Sequence, residues 1–367
     1  MTELTSRDRL TRLFDGKEID RVPIWLLAPY HRLGCYADIY EEPAYRQLLP
    51  YIERYCDTLD RRGFSTGFCY NGNPEIKTET QREADGSWTA TVRYRDLCFQ
   101  RGTSYRGGHT TVRYYLESAE ELQKILEIPY QPPVPDISRY WQEKEELGSR
   151  GMMMIDAGDP LGPLYHLMSA EEFSVSTITD YPLLLDFLDE MSRRVLAFYQ
   201  YLLERDIGEV FFIVGAEFAG PPLVNPARFR EMSVRYVKRI VDLIRSYGKK
   251  SIVHYHGQLY DILDGIREVN PDGLHTIEAP PIGNCTISQA RQALGDMILI
   301  GNIQYDDLVR LNPEKVRELT RQAVEEGKSG RFILSPSAGP YDPKISPHTI
   351  ENYRTFIETG IWYGALK

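Results

Sequence analysis

Two histidines one residue apart, His254 and His256, close an apolar run in "SIVHYHGQLYD". On an extended segment side chains two positions apart project to one face, so both imidazoles can converge on one point. Glutamates end the neighbouring apolar runs: Glu217 in "GAEFAGPPLVNP" and Glu278 in "TIEAPPIGN". A Pro-Pro pair follows each and stiffens the turn that carries the carboxylate. Imidazole nitrogen and carboxylate oxygen from three successive strands suit zinc, with one position left for substrate. That makes His254, His256, Glu217 and Glu278 the metal candidates, with Glu217, Glu278 and His256 the catalytic ones. Without a metal the histidines could act as general acid and base. The plainer alternative is that they are strand-end polar groups bonded to backbone or water.

Other strand ends carry Asp156 and Asp159, His275, Asn302 with Gln304, and Ser335 with Ser337. Asp159 precedes Pro160, where an Asx turn is its ordinary role. Tyr30, Phe68, Tyr70, Phe218 and Tyr255 fall near strand ends and could line an aromatic pocket, although core packing is the commoner use of such rings. The substrate-binding candidates are therefore Tyr30, Tyr70, Tyr255, Asn302 and Gln304.

These residues need a scaffold that gathers strand ends. From about residue 150, short apolar runs alternate with helical patterns: 151–158, 209–217, 250–257, 273–280, 297–304 and 331–339. Near-continuous apolarity is what parallel strands buried on both faces require. Asn225-Pro226, Asn312-Pro313 and Ser346-Pro347 pair an N-cap with a first-turn proline, and "SAEEL" (118–122) and "SAEEF" (169–173) read as capping boxes. Phe229, Met232, Tyr236, Ile240 and Ile244 draw one apolar stripe at helical spacing. With an earlier run at 22–28 and a weaker one at 63–70, the count reaches eight. The expectation is an α/β chain folded as a single (β/α)8 TIM barrel over 1–367, its chemistry at the carboxyl ends of the strands. Residues 87–116, alternating Thr, Val, Tyr and Arg with internal glycines, read as a β-meander inserted at the barrel mouth.

A net charge of −10 argues against nucleic acid or an anionic membrane as a partner. The amphipathic first residues and the lack of any long apolar run predict a cytoplasmic protein with no signal peptide and no membrane span. Five scattered cysteines without a CxxC pair indicate neither a disulfide framework nor a cysteine zinc knuckle.

"DRVPIW", "GDPLGPLYHLMS", "NPARFREM", "HYHGQLYDILDGIREVNPDGLHTIEAPP", "ILIGNIQ" and "RFILSPSAGPYDP" together resemble the uroporphyrinogen decarboxylase superfamily over nearly the whole chain. The superfamily's fold is a TIM barrel, and its members include decarboxylases and cobalamin-linked methyltransferases. In the decarboxylase branch a Met-Arg-Gln-Ala-Gly-Arg stretch holds substrate carboxylates; here "LLAPYHR" stands there, with Leu27 in place of the first arginine. The methyltransferase branch carries His-x-Cys-Gly where this chain has His254-Tyr255-His256-Gly257, and its third ligand, a cysteine, falls at Ala338. The resemblance implies a zinc site without thiolate, with Glu217 and Glu278 supplying the negative ligands as in relatives that demethylate phenyl methyl ethers. It implies a methyl group passed from a small, methoxylated aromatic donor to the Co(I) of a separate corrinoid protein. The expected partners are that donor, the corrinoid protein and a second copy of the chain. The alternatives are a metal-free decarboxylase or lyase acting on a small acid, and a barrel that serves as a binding subunit.

Overall fold

The structure, a computed structural model, describes residues 3–34, 36–105 and 109–366, apart from the side chains of His109, Ala216 and Glu217. Seven strands form one curled parallel sheet in chain order: β1 (Thr58–Gly63), β6 (Gly151–Asp156), β7 (Val210–Ile213), β8 (Lys250–His254), β9 (Gly273–His275), β10 (Ile298–Ile303) and β11 (Phe332–Pro336). A second, antiparallel sheet runs in order through β2 (Lys77–Arg82), β3 (Trp88–Tyr94), β4 (Leu97–Tyr105) and β5 (His109–Arg113). It begins ten residues before the segment that alternation marked, because β2 is solvent-exposed along its whole length and lacks an apolar face to announce it.

The six later runs all become strands, while the two early ones differ from expectation. Residues 22–28 are not a full strand: Ile24 makes a single parallel bridge to Leu334. Even so, Trp25 N–H donates to Leu334 O at 2.9 Å and Asp57 N–H to Ile24 O at 2.6 Å, so this short segment touches both edges of the parallel sheet. The stretch 63–70 is loop, and the strand lies just before it in "TLDRRG". Its charges hide it from a hydropathy reading, and tertiary partners compensate them. Buried Asp60, for instance, accepts from the backbone N–H of Tyr30 at 2.7 Å and of His31 at 3.1 Å.

Every second strand residue points inward. Leu59, Met152, Met154, Val210, Phe212, Ile252, Ile298, Ile300 and Ile333 form an inner core with Trp25 and Leu27. Leu10, Leu13 and Phe14 of the first helix, Ser6–Phe14, join this core. Each such side chain withdrawn from water contributes on the order of 1.5–3 kcal/mol. The larger core lies between the strands and the surrounding helices, where Phe229, Met232, Tyr236, Ile240 and Ile244 are all buried. Asn225, Asn312, Ser346 and Ser169 cap their helices by accepting a backbone N–H three residues on. Ser118 makes no cap bond; there the Glu121 carboxylate accepts from Glu117 N–H at 2.7 Å instead.

Among the described residues no helix is long and apolar enough to cross a membrane. Cys56, Cys69, Cys98 and Cys285 are free thiols, and Cys35 lies outside the described residues.

Candidate active site at the strand ends

The two-residue period that builds the inner core also sets what lies above it. Arg61 follows Leu59, Asp156 follows Met154, His254 follows Ile252, Asn302 follows Ile300 and Ser335 follows Ile333, each two positions along its strand. The inner face therefore changes from apolar to polar at one level. Phe212 marks the boundary, with the rings of His254 and His275 at 5.2 and 5.8 Å from its own.

His254 and His275 are register partners on β8 and β9, and their Nδ1 atoms are 2.7 Å apart. One must donate and the other accept. Burial pushes both rings down in pKa, His275 to about 3 and His254 well below 6.5, with neighbouring His256 and Arg61 adding to the effect in each. Both are thus neutral. His275 Nε2 faces the Pro336 carbonyl at 3.2 Å and must carry the proton there. Its Nδ1 then accepts from His254 Nδ1–H, which leaves the lone pair of His254 on Nε2. A ring whose Nδ1–H is held and whose Nε2 is basic is prepared to bind a metal or take a proton.

His256 lies past the strand end, with its ring edge-to-face against that of His254 at 4.5 Å. Its Nδ1 is 3.1 Å from Glu278 Oε1, and Glu278 Oε2 accepts from Gly257 N–H at 2.7 Å. Gln304 donates to Glu278 Oε1 at 3.4 Å, and Ser337 Oγ donates to Gln304 Oε1 at 3.0 Å. Burial alone would raise the Glu278 carboxyl, but the bonds from His256, Gly257 and Gln304 outweigh it and hold the group below the ordinary glutamate range. Glu278 is therefore an anion that orients His256.

A cavity of about 750 Å³ is lined by other residues, and not by these histidines or Glu278. Asp156 lines it and is held by Arg61, whose Nε and Nη2 lie 3.0 and 2.5 Å from Asp156 Oδ2. The Arg61 guanidinium sits 5.1 Å above the Phe212 ring, so it links the cavity wall to the aromatic floor under the histidines. Phe68 and Tyr70 line the same cavity, and the Tyr70 hydroxyl donates to Ala157 O. Asn302 and Gln304 line a smaller cavity of about 220 Å³ beside Pro280 and Glu326.

Two of the tyrosines stand elsewhere. Tyr255 is buried against Phe229, 5.6 Å between rings, because it alternates with His254 and His256 and so faces the helix layer. Tyr30 packs on His31 and Tyr40, with Arg150 over its face. Asp159 makes the turn expected of it, accepting from Leu161 N–H at 3.0 Å and Gly162 N–H at 2.8 Å. The side chain of Glu217 lies outside the described residues.

The donor chemistry is only partly that of a metal site. Among the described residues no three His, Cys, Asp or Glu side chains are gathered as ligands. His254 fits through its Nε2 lone pair, whereas both Glu278 oxygens are already engaged in hydrogen bonds.

A family model described as "Uroporphyrinogen decarboxylase (URO-D)" matches residues 115–360. The chain belongs to the URO-D family. The match takes in the histidines, Glu278 and the part of the 750 Å³ cavity's lining from Tyr115 onward, while Arg61, the lining residues 63–70 and the antiparallel sheet lie before it. Among solved structures, this URO-D chain is similar to a methyltransferase from Methanosarcina mazei at 17% identity and a TM-score of 0.62, over 98% of this chain and 99% of that one. The two share a fold. D-psicose 3-epimerase from Clostridium cellulolyticum H10, solved with D-tagatose, aligns over 62% of this chain and 92% of its own at 12% identity and a TM-score of 0.34, too slight a likeness to bear on the site. No curated protein sequence matches the chain.

Two members of the site escaped the sequence reading. Arg61 was hidden in a strand too charged to recognise, and His275, noted only as a strand end, proves to be the partner of His254. A basic residue two positions after an apolar one, ahead of a glycine, was the available signal for Arg61.

Proposed function

We propose that this URO-D family protein is a methyltransferase that takes a methyl group from a small methoxylated aromatic and passes it to the Co(I) of a separate corrinoid protein. The carrying observation is the pair of neighbouring imidazoles at the strand ends, each with Nδ1 engaged by a dedicated partner, His275 or Glu278. The whole-length similarity to a methyltransferase fold supports the same reading.

In this reading His254 and His256 would hold Zn2+, with Glu217 as the carboxylate ligand. Glu278, first expected as a ligand, is better placed as the base that fixes the His256 tautomer. Zinc supplies Lewis acidity toward an ether oxygen, so that a phenolate leaves more readily. The chain's own residues do the rest. His275 and Glu278 fix the two rings, Phe212 and Trp25 keep water from beneath them, and Arg61 neutralises Asp156 at the cavity wall. The partner's corrinoid would supply the electron pair of the new bond to the methyl carbon, and the carbon–oxygen pair would leave on the phenolate. Residues 22–28 would complete the barrel as its eighth stave, and the corrinoid protein would dock over the strand ends in the cytoplasm.

A protein purified without chelator is expected to hold about one zinc per chain. His254→Ala and His256→Ala should lose both metal and methyl transfer from 4-methoxybenzoate to a corrinoid protein. Metal-free wild type together with an active His256→Ala variant would sink the reading. The second reading, a metal-free lyase on a small acid, is favoured by the lack of a gathered ligand trio among the described residues. Release of CO2 from such an acid without corrinoid would establish it.

A further inference from the structure

Arg101 on β4 reaches from the antiparallel sheet into the wall of the 750 Å³ cavity. Its Nη1 is 3.2 Å from His166 Nδ1 and its Nη2 donates to Thr111 Oγ1 at 3.2 Å, while its Nε is buried with no hydrogen-bond partner. Trp88 lies against the guanidinium, 5.6 Å from ring centre to carbon. Among the described residues no carboxylate comes within ion-pair distance of it, in contrast to Arg61, which is matched to Asp156. His166 opens on the cavity yet is crowded by its walls; that crowding, with Arg101 beside it, pushes its pKa down to about 4, so it adds no charge of its own. Among the described residues the guanidinium at this cavity wall carries a positive charge that no carboxylate matches, which favours an anionic ligand there.

The rest of the wall indicates the shape of that ligand. Phe64, Phe68, Tyr115 and Tyr165 surround the space, with Phe68 and Tyr115 edge-to-face at 5.5 Å. The volume is that of a small-molecule site. We infer that Arg101 is a substrate-binding residue that takes the carboxylate of an aromatic acid, held between these rings and reached by the guanidinium fork. The antiparallel sheet thereby becomes part of the binding site. This inference rests on the reading that the cavity receives the methyl donor, and it narrows that donor to an acid.

The test is calorimetric titration of the full-length, metal-retaining protein with 4-methoxybenzoate and with neutral methoxybenzene, in the absence of any corrinoid protein. The acid should bind about 10- to 100-fold more tightly than the neutral ether. R101Q should erase that preference while leaving methoxybenzene affinity within about twofold. R101K, which keeps the charge and loses the fork, should fall between the two and serves if R101Q does not fold. Equal affinity of wild type for acid and ether, no binding of the acid, or acid binding unaffected in both variants would overturn the inference. Arg101-dependent acid binding without methyl transfer once corrinoid protein is added would instead overturn the methyltransferase reading and leave the carboxylate subsite standing.

Discussion

At the scale of single residues, the proposed chemistry depends on what each imidazole's second nitrogen is doing. His254 and His275 exchange one hydrogen bond, and the Pro336 carbonyl decides its direction. Glu278 performs the corresponding task for His256 while also holding Gly257 N–H. Glu278→Gln keeps the shape and removes the charge that favours the Nδ1–H tautomer. It is expected to lower metal affinity and turnover by about 10- to 100-fold, with little change in thermal unfolding. Metal titration beside a melting curve checks this, and a parallel fall in Tm would reassign Glu278 to stability.

At the scale of elements, the loop after β9 controls where Glu278 sits. A Cβ added at Gly283 would lie 2.2 Å from the Glu278 carbonyl oxygen and 2.7 Å from its Cβ. Gly283→Ala must push that segment away, at a cost of about 1–3 kcal/mol. Activity should fall more than stability, since the displacement is centred on the carboxylate; full activity in this variant would mean that the loop tolerates the shift. The helices and apolar strands around this loop were legible in the sequence, because caps and hydropathy period are local properties. The first strand was not, because Asp60, Arg61 and Arg62 are compensated only by residues distant in the chain, among them His31, Asp156 and Glu143.

At the scale of the whole molecule, the first helix is tied to the sheet by charge. Buried Arg9 meets Asp20 through Nε at 2.7 Å and Nη2 at 2.8 Å, and Asp57 through Nη1 at 2.6 Å. Asp57 in turn accepts from Arg21 at 2.8 Å and from Ile24 N–H at 3.0 Å, where residues 22–28 enter. Burial would raise the Asp20 carboxyl, but its bonds from Arg9 and Leu4 N–H outweigh this and bring it down from 3.8 to about 2. The folded form then binds its proton at lower pH than the unfolded form, so this stabilisation is complete above pH 3.8 and is lost as pH falls through about 2. The unfolding free energy from urea titrations should decline across that window by up to about 1.4 kcal/mol per pH unit from this group. Arg9→Met should cost about 3–5 kcal/mol at neutral pH, because it leaves Asp20 without its cation and buried Asp57 with Arg21 alone, and should flatten that decline. An unchanged acid profile in the variant would show that Asp20 is not the group being titrated.

The sequence by itself determined the six later parallel strands, the helix starts at Ser169, Asn225, Asn312 and Ser346, and the candidacy of His254, His256 and Glu278, since each rests on neighbours within a few positions. It also predicted the family through the spacing of its motifs. Only the tertiary structure decided which of those residues meet. It turned Tyr255 into the core, paired His254 with His275, made Glu278 a support for His256, and brought Arg101 and Asp156 to the lining of one cavity. Those outcomes depend on sheet curl and on contacts between residues far apart in the chain, and neither leaves a local pattern to be read.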